Sequence, residues 1–305
     1  MKKILFFSST EFGKEILDVL DKSDYKVVGV VTRSDKVRGR GNKVLSTPVK
    51  TLALDRGINV YERDYVTDED IGWIKSLDVD YFVVVAYGAI IPQNILDIPK
   101  IAPINIHASI LPKYRGASPI ESVILKGEKE TGISYMHMTK KLDAGDIYKI
   151  YKIEIQNNEI FDTLNEKLCE LSKNTVVDVL NGISDGNLKR VAQSDDATYV
   201  GKILKSDAEI DFNNTAEVVK NKINALDSHI GAFAFINDNR YKLFGAEISN
   251  QKLDCGVVKV DNGIYIGTQD YAVKIKYIQA PGKKKMLSED FLRGNTIEGK
   301  FEVRW

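Results

Sequence analysis

Asn105 and His107 lie two positions apart in the apolar stretch "PINIHASILP", just before a loop that carries Lys113, Arg115 and Gly116. On a β-strand, where side chains alternate faces, the two would project from the same side. An asparagine amide can donate to an oxygen that becomes negative, and a histidine can move protons near neutral pH. Together they form half of an acyl-transfer site. The other half is a carboxylate that orients the ring and holds its charge. "KKLDAGDI" offers one in Asp143, within a loop of small residues after the strand-like "ISYMHM". Open parallel sheets carry their sites on the loops at the carboxyl ends of their strands, so Asp143 reaches His107 if those two strands are neighbours. On residue type and spacing alone, a catalytic Asn105–His107–Asp143 triplet and a satisfied polar cluster in the core are both open.

The elements that must position these residues alternate. "KKILFF", "KVVGVV", "YFVVVA", "INIHAS" and "ISYMHM" are strand-like runs. Between the first two, Phe12, Ile16 and Leu20 recur at a helical interval. Thr47 followed by Pro48 signals a helix start, with a stop at Gly57, and Thr67 with Asp70 signals another. A long helical pattern runs from about Phe161 to Leu180. This alternation predicts a Rossmann-like α/β domain with a mostly parallel sheet over residues 1–187. Residues 188–205 are polar and weakly periodic, as in a linker. From 206 to 305, after one helix in "NTAEVVKNKINAL", strands and turns take over, with Asn262-Gly263 a strong hairpin signal.

Composition narrows the function classes. The 305 residues are 43% hydrophobic and 28% charged, ordinary for a soluble globular chain. Lys+Arg and Asp+Glu both number 43, so the chain lacks the basic excess of a nonspecific nucleic-acid coat. "YFVVVAYGAII" is too short to span a membrane, and "ILFF" too short for a signal peptide. Cys169 and Cys255 form no CxxC pair, so no disulfide framework or metal site is expected. The chain reads as cytoplasmic. Charge is nonetheless concentrated in "RSDKVRGRGNK", Arg33 to Lys43, with five basic residues against Asp35, and in Lys283-Lys284-Lys285. Taken alone, both are solvated surface loops.

"NIHASILPKYRGASPI", followed by "LDAGD", closely resembles the signature of the 10-formyltetrahydrofolate-dependent formyltransferases. The resemblance implies catalytic roles for Asn105, His107 and Asp143, and a folate site lined by Ser109, Ile110, Leu111 and Pro112. "VVVAYGAIIP" resembles that family's pterin-binding loop, which implies backbone contacts from Tyr87, Gly88, Ala89, Ile90 and Ile91. "TRSDKVRGRGNKVLSTPVKTLA" resembles the loop that the tRNA-modifying members insert into the acceptor arm. It implies initiator methionyl-tRNA as the formyl acceptor, contacted by Arg40, Lys43 and the less clearly aligned Arg38. "IQAPGKKKMLSEDFLRG" resembles the same members' ending and implies an OB-like β-barrel that helps hold the tRNA, with Lys283, Lys284 and Lys285 as contacts.

Two departures stand out. Ser8-Ser9-Thr10-Glu11-Phe12 replaces a Gly-Thr-Pro-x-Phe turn, and Asp227-Ser228-His229-Ile230-Gly231-Ala232 replaces Asn-Pro-Trp-Pro-Gly-Ala. His137 and His229 are expected to be structural or exposed. The resemblance implies direct formyl transfer by a monomer, with no metal and no covalent enzyme intermediate. A sugar-nucleotide N-formyltransferase would share the triplet but has no use for "VRGRGNK", and a noncatalytic RNA-binding protein would leave the triplet idle. A nicotinamide-dependent oxidoreductase would need a Gly-x-Gly-x-x-Gly turn where "FFSSTEFG" has only Gly13.

Overall fold

Short runs of Ile, Val and Phe are buried on both faces when they pair in parallel, because the crossover helices then cover the sheet. The computed structural model describes residues 1–38, 43–227 and 230–304, with the backbone alone at 36–38 and 43–44. The chain divides into two units: Met1–Ala117, Gly132–Ile153 and Glu166–Val200 in the first, Ser118–Thr131, Glu154–Asn165 and Gly201–Trp305 in the second.

The strands of the first unit, in chain order, are β1 (Lys3–Phe7), β2 (Lys26–Thr32), β3 (Lys36–Arg38), β4 (Lys43–Leu45), β5 (Val60–Glu62), β6 (Tyr81–Val84), β7 (Ala102–His107), β8 (Arg115–Gly116), β9 (Glu130–His137), β10 (Ile147–Glu154) and β11 (Tyr199–Val200). Seven of them form one sheet in the order β10-β9-β7-β6-β1-β2-β5. β5, β2, β1, β6 and β7 are mutually parallel, as the alternating pattern implies. β9 departs from it and runs antiparallel to β7, pairing His107 with Ser134 and Ile104 with His137. The residues after β9 therefore start from the wrong end of β7 to meet His107, and the 138–146 loop must fold back to do so. Asp143 thus reaches the site by a route that strand direction alone would not suggest.

Local chemistry sets the helices. Thr47 accepts from the Lys50 amide and Pro48 opens the helix Pro48–Asp55. Thr67 and Asp70 form a capping box at the 3-10 turn Asp68–Asp70. The helix Glu11–Asp21 starts normally despite the altered turn before it, since Thr10 Oγ1 accepts from Gly13 N at 3.2 Å. A Cβ on Gly13 would lie 1.8 Å from Ser8 Oγ, so the glycine makes room for the serine. Under the sheet, Phe7 meets Phe82 and Tyr87 edge-on at 5.1 and 5.7 Å, within a cluster that includes Leu5, Val84 and Ile91.

In the second unit, β12 (Ala232–Ile236), β13 (Asn239–Ile248), β14 (Val258–Val260), β15 (Ile264–Ile266), β16 (Val273–Gln279) and β17 (Met286–Leu287) form one antiparallel sheet. Asn237 and Asp238 at φ 46° and 65° make the β12–β13 turn, and Asn262 with Gly263 makes the β14–β15 turn. Isolated bridges from Lys300 to Val257 and from Glu302 to Phe235 tie the end of the chain to β12 and to the residue before β14, which curls the sheet towards closure. The helix Ala216–Ala225 packs on β13, where the Asn224 side chain both donates to the Ala246 carbonyl and accepts from its amide. An α/β domain followed by a small curled β domain is the expected architecture.

Replacing Phe82, wholly buried at the centre of the first unit's core, with alanine should cost about 3–5 kcal/mol of stability. Guanidinium unfolding of the variant against the wild type measures it.

Candidate active site

Asn105 and His107 leave β7 on one face, as their spacing requires, and both meet the carboxylate of Asp143. Asn105 Nδ2 donates to Asp143 Oδ1 at 3.2 Å, and the Gly116 amide donates to Oδ2 at 2.9 Å. His107 Nδ1 faces Oδ2 at 3.7 Å, an electrostatic contact just beyond hydrogen-bond reach. On the far side of the ring, Nε2–H donates to the Tyr114 carbonyl at 2.9 Å. A carbonyl can only accept, so this bond places a hydrogen on Nε2, while Nδ1 is the nitrogen turned to Asp143. His107 and Asp143 are 6% and 9% exposed, which strengthens their mutual field.

Asp143 adopts φ +46°, a left-handed conformation unusual for a residue with a side chain. Neighbours over-determine it. Gly116, at φ +121°, pairs with Val200 between β8 and β11, and a Cβ there would lie 2.1 Å from the Val200 carbonyl. Gly145 sits against the His137 carbonyl so closely that a Cβ would lie 1.7 Å from it. Sequence reasoning missed three participants: the Gly116 amide, Arg115 and Gln193. The amide carries no sequence signal. Gln193 lies in the polar tract read as linker, where nothing in the pattern sets one glutamine apart, although the same tract does contain the strand β11.

Ser109 to Pro112 follow β7 directly. Ser109 Oγ donates to the Lys113 carbonyl at 2.7 Å, and Ser134 Oγ both donates to the Ser109 carbonyl and accepts from the Leu111 amide. Leu111 is buried, while Ile110 and Pro112 are half-buried. In the other segment matched to the folate site, Tyr87 and Ile91 belong to the core, Gly88 and Ile90 are exposed, and Ala89 is half-buried. The Tyr87 hydroxyl donates to the Arg63 carbonyl at 2.6 Å, and burial pushes its pKa up to about 12. Arg33 grips this loop from outside, with Nε on the Tyr87 carbonyl at 3.1 Å and Nη2 on the Gly88 carbonyl.

Arg33 also begins the basic segment. β3 and β4 form an antiparallel hairpin that pairs Arg38 with Lys43 in register, and Arg40 lies outside the described residues. Lys50 anchors the hairpin's base, donating to Asp35 at 2.8 Å and to Glu62 at 2.7 Å. These bonds, the one to Asp35 first, raise its pKa. In the second unit, Lys283 and Lys284 are exposed. Lys285 is different: its ammonium contacts Asp227 at 2.5 Å and lies 4.3 Å over the Phe244 ring. His137 bonds Tyr148 at 3.1 Å and burial lowers its pKa; His229 lies outside the described residues. The Cys169 thiol is pushed up to about 11 by burial, which leaves it inert. Among the described residues, no helix is long and apolar enough to cross a membrane, and no three ligating side chains cluster for a metal.

Family models describe both parts of the chain: a formyl transferase model matches residues 2–180, and a formyl transferase C-terminal domain model matches 202–296. The chain belongs to the formyl transferase family. It is 41% identical to a methionyl-tRNA formyltransferase of Thermotoga maritima over 99% of each chain. It is 38% identical to one of Sulfurihydrogenibium over 97% of this chain and 98% of the relative. HypX of Aquifex aeolicus, solved in complex with tetrahydrofolic acid, shares the fold with TM-score 0.65 at 18% identity, over 100% of this chain and 51% of that one.

Gly116→Ala should cost about 1–3 kcal/mol, because its Cβ cannot coexist with the Val200 carbonyl. Hydrogen exchange should show the Ala117 amide, now bonded to Val200 O, losing protection first.

Proposed function

We propose that this formyl transferase moves the formyl group of 10-formyltetrahydrofolate onto the α-amino group of initiator methionyl-tRNA, acting as a cytoplasmic monomer. The observation that carries this reading is near-full-length likeness to methionyl-tRNA formyltransferases in a chain whose Asn105, His107 and Asp143 converge on one carboxylate. In it, residues 1–187 do the chemistry, 188–205 connect, and 206–305 help hold the tRNA.

The neutral amine attacks the formyl carbon on N10. Its pKa, about 7.7–8.0 for an ordinary α-amine and lower beside an ester, leaves it partly neutral at cellular pH. A new N–C bond forms and the carbonyl oxygen becomes an oxyanion. The Asn105 amide has two hydrogens, so one can hold Asp143 while the other meets the oxyanion, a contribution of roughly 3 kcal/mol. The attacking nitrogen gives up a proton as the bond from carbon to N10 breaks, and N10 gains one. His107 carries it, directly or through water. With Nε2–H already bonded to Tyr114, the incoming proton goes to Nδ1, and the cation that forms lies against Asp143. Ser109 to Pro112 and Tyr87 to Ile91 line the folate site, the latter through backbone groups because Tyr87 and Ile91 point into the core. Arg40 and Lys43, with Arg38, contact the acceptor arm, and Lys283 and Lys284 supply further phosphate contacts. Lys285, already paired with Asp227, is the weakest of these contacts.

The deciding assay offers purified protein 10-formyltetrahydrofolate with either methionyl-tRNA or an amino-sugar nucleotide. Formyl-methionyl-tRNA is the expected product, and formylated sugar alone would overturn the reading. In the same assay, alanine at Asn105, His107 or Asp143 should each lower turnover by at least about a hundredfold with tRNA affinity nearly unchanged. Near-normal turnover in His107→Ala would remove the proton-transfer step.

Arg40→Ala should weaken tRNA use more than Lys43→Ala. Losing both should flatten the slope of log affinity against log salt by roughly two units, as expected for two lost phosphate contacts. Folate affinity serves as the control and should not move. Wild-type affinity, slope and rate in the double variant would make the loop mere surface.

A further inference from the structure

We infer that Gln193 is a positioning residue of this site, and that the 193–200 segment is a clasp on the catalytic loop rather than a passive connection. Gln193 Nε2 donates to the carbonyls of Asp143 and Gly145 at 2.9 and 2.7 Å. Its Oε1 accepts from Arg115 Nε and Nη2 at 3.1 and 2.7 Å. The amide cannot be reversed, because a guanidinium only donates and a carbonyl only accepts. All four bonds therefore fix one orientation.

Each partner is itself held. Arg115 is 8% exposed, donates Nη1 to the Tyr199 hydroxyl at 2.8 Å and lies 5.6 Å over the Tyr199 ring. Arg115 and Gly116 pair with Tyr199 and Val200 as β8 and β11. One short ladder thus carries both anchors of Asp143: the Gly116 amide on its carboxylate and, through Arg115, the Gln193 amide on its main chain. Two anchors are needed because Asp143 sits at φ +46°, a conformation it leaves unless neighbours enforce it. Without the Gln193 bonds, the loop relaxes and the carboxylate moves off the His107 edge. A displacement of about 1 Å is enough to cost roughly a hundredfold in rate.

The proposal rests on the formyl-transfer reading for its kinetic arm only. Two variants separate the halves of the side chain. Gln193→Leu removes both functions, whereas Gln193→Glu keeps the acceptor for Arg115 and sets a carboxylate against the two carbonyls. Both should lower kcat by about 10–100-fold with KM for folate and for methionyl-tRNA within about threefold, assayed at a temperature where circular dichroism shows each variant fully folded. The second readout needs no turnover. Only three histidines are present, so the ring signals of His107 can be assigned in 15N-histidine protein with a His107→Asn control. The ring 15N and attached-proton shifts of His107 should move in both variants as the Asp143 carboxylate leaves the ring edge it now faces at 3.7 Å. Unchanged His107 ring shifts together with kcat within twofold of wild type overturn the proposal, as does a kcat loss that only tracks the unfolded fraction. Should the wild type fail to formylate methionyl-tRNA, the function fails but the His107 ring shifts still decide the clasp.

Discussion

One carboxylate organises the first unit's chemistry. Asp143 takes a hydrogen bond on each oxygen, from Asn105 and from the Gly116 amide, while turning an edge to His107. An aspartate almost removed from water is tolerable only when its charge is divided among such donors. Here the donors are also the groups proposed to react, or neighbours that hold them. The small residues around it and the left-handed backbone accompany a loop that must fold back from the end of β9 to bring that side chain to the end of β7.

Much of the architecture was legible because it rests on local rules. Thr47 with Pro48, Thr67 with Asp70, and Asn262 with Gly263 each do what their types dictate within a few residues. The pairing of Asn105 with His107 was legible for the same reason, since strand periodicity alone puts them on one face. Asp143 does meet Asn105 and His107, but by a path that the strand-end argument did not contain. Nothing in "ISYMHM" reports strand direction, and an antiparallel β9 changes how its loop must travel.

What could not be read was long-range and carried by unremarkable groups. A main-chain amide has no sequence letter, and a glutamine in a polar tract is indistinguishable from its solvated neighbours until Arg115 is seen across from it. The three lysines at 283–285 show the converse. A run of like charge looks uniform in sequence, and all three lysines are exposed, yet Lys285 is paired with Asp227 and lies over an aromatic face.

The loop from Tyr87 to Ile91 sinks Tyr87 and Ile91 into the core and leaves Ile90 exposed, with Arg33 clamped on two of its carbonyls. The folate surface proposed there would be read through peptide groups, which leaves mutation few letters to rewrite. An inhibitor shaped to those groups would leave a resistant lineage little to change at the contact itself. Escape would have to come from deforming the scaffold, and the half-buried arginine that braces the loop is the cheapest place to begin.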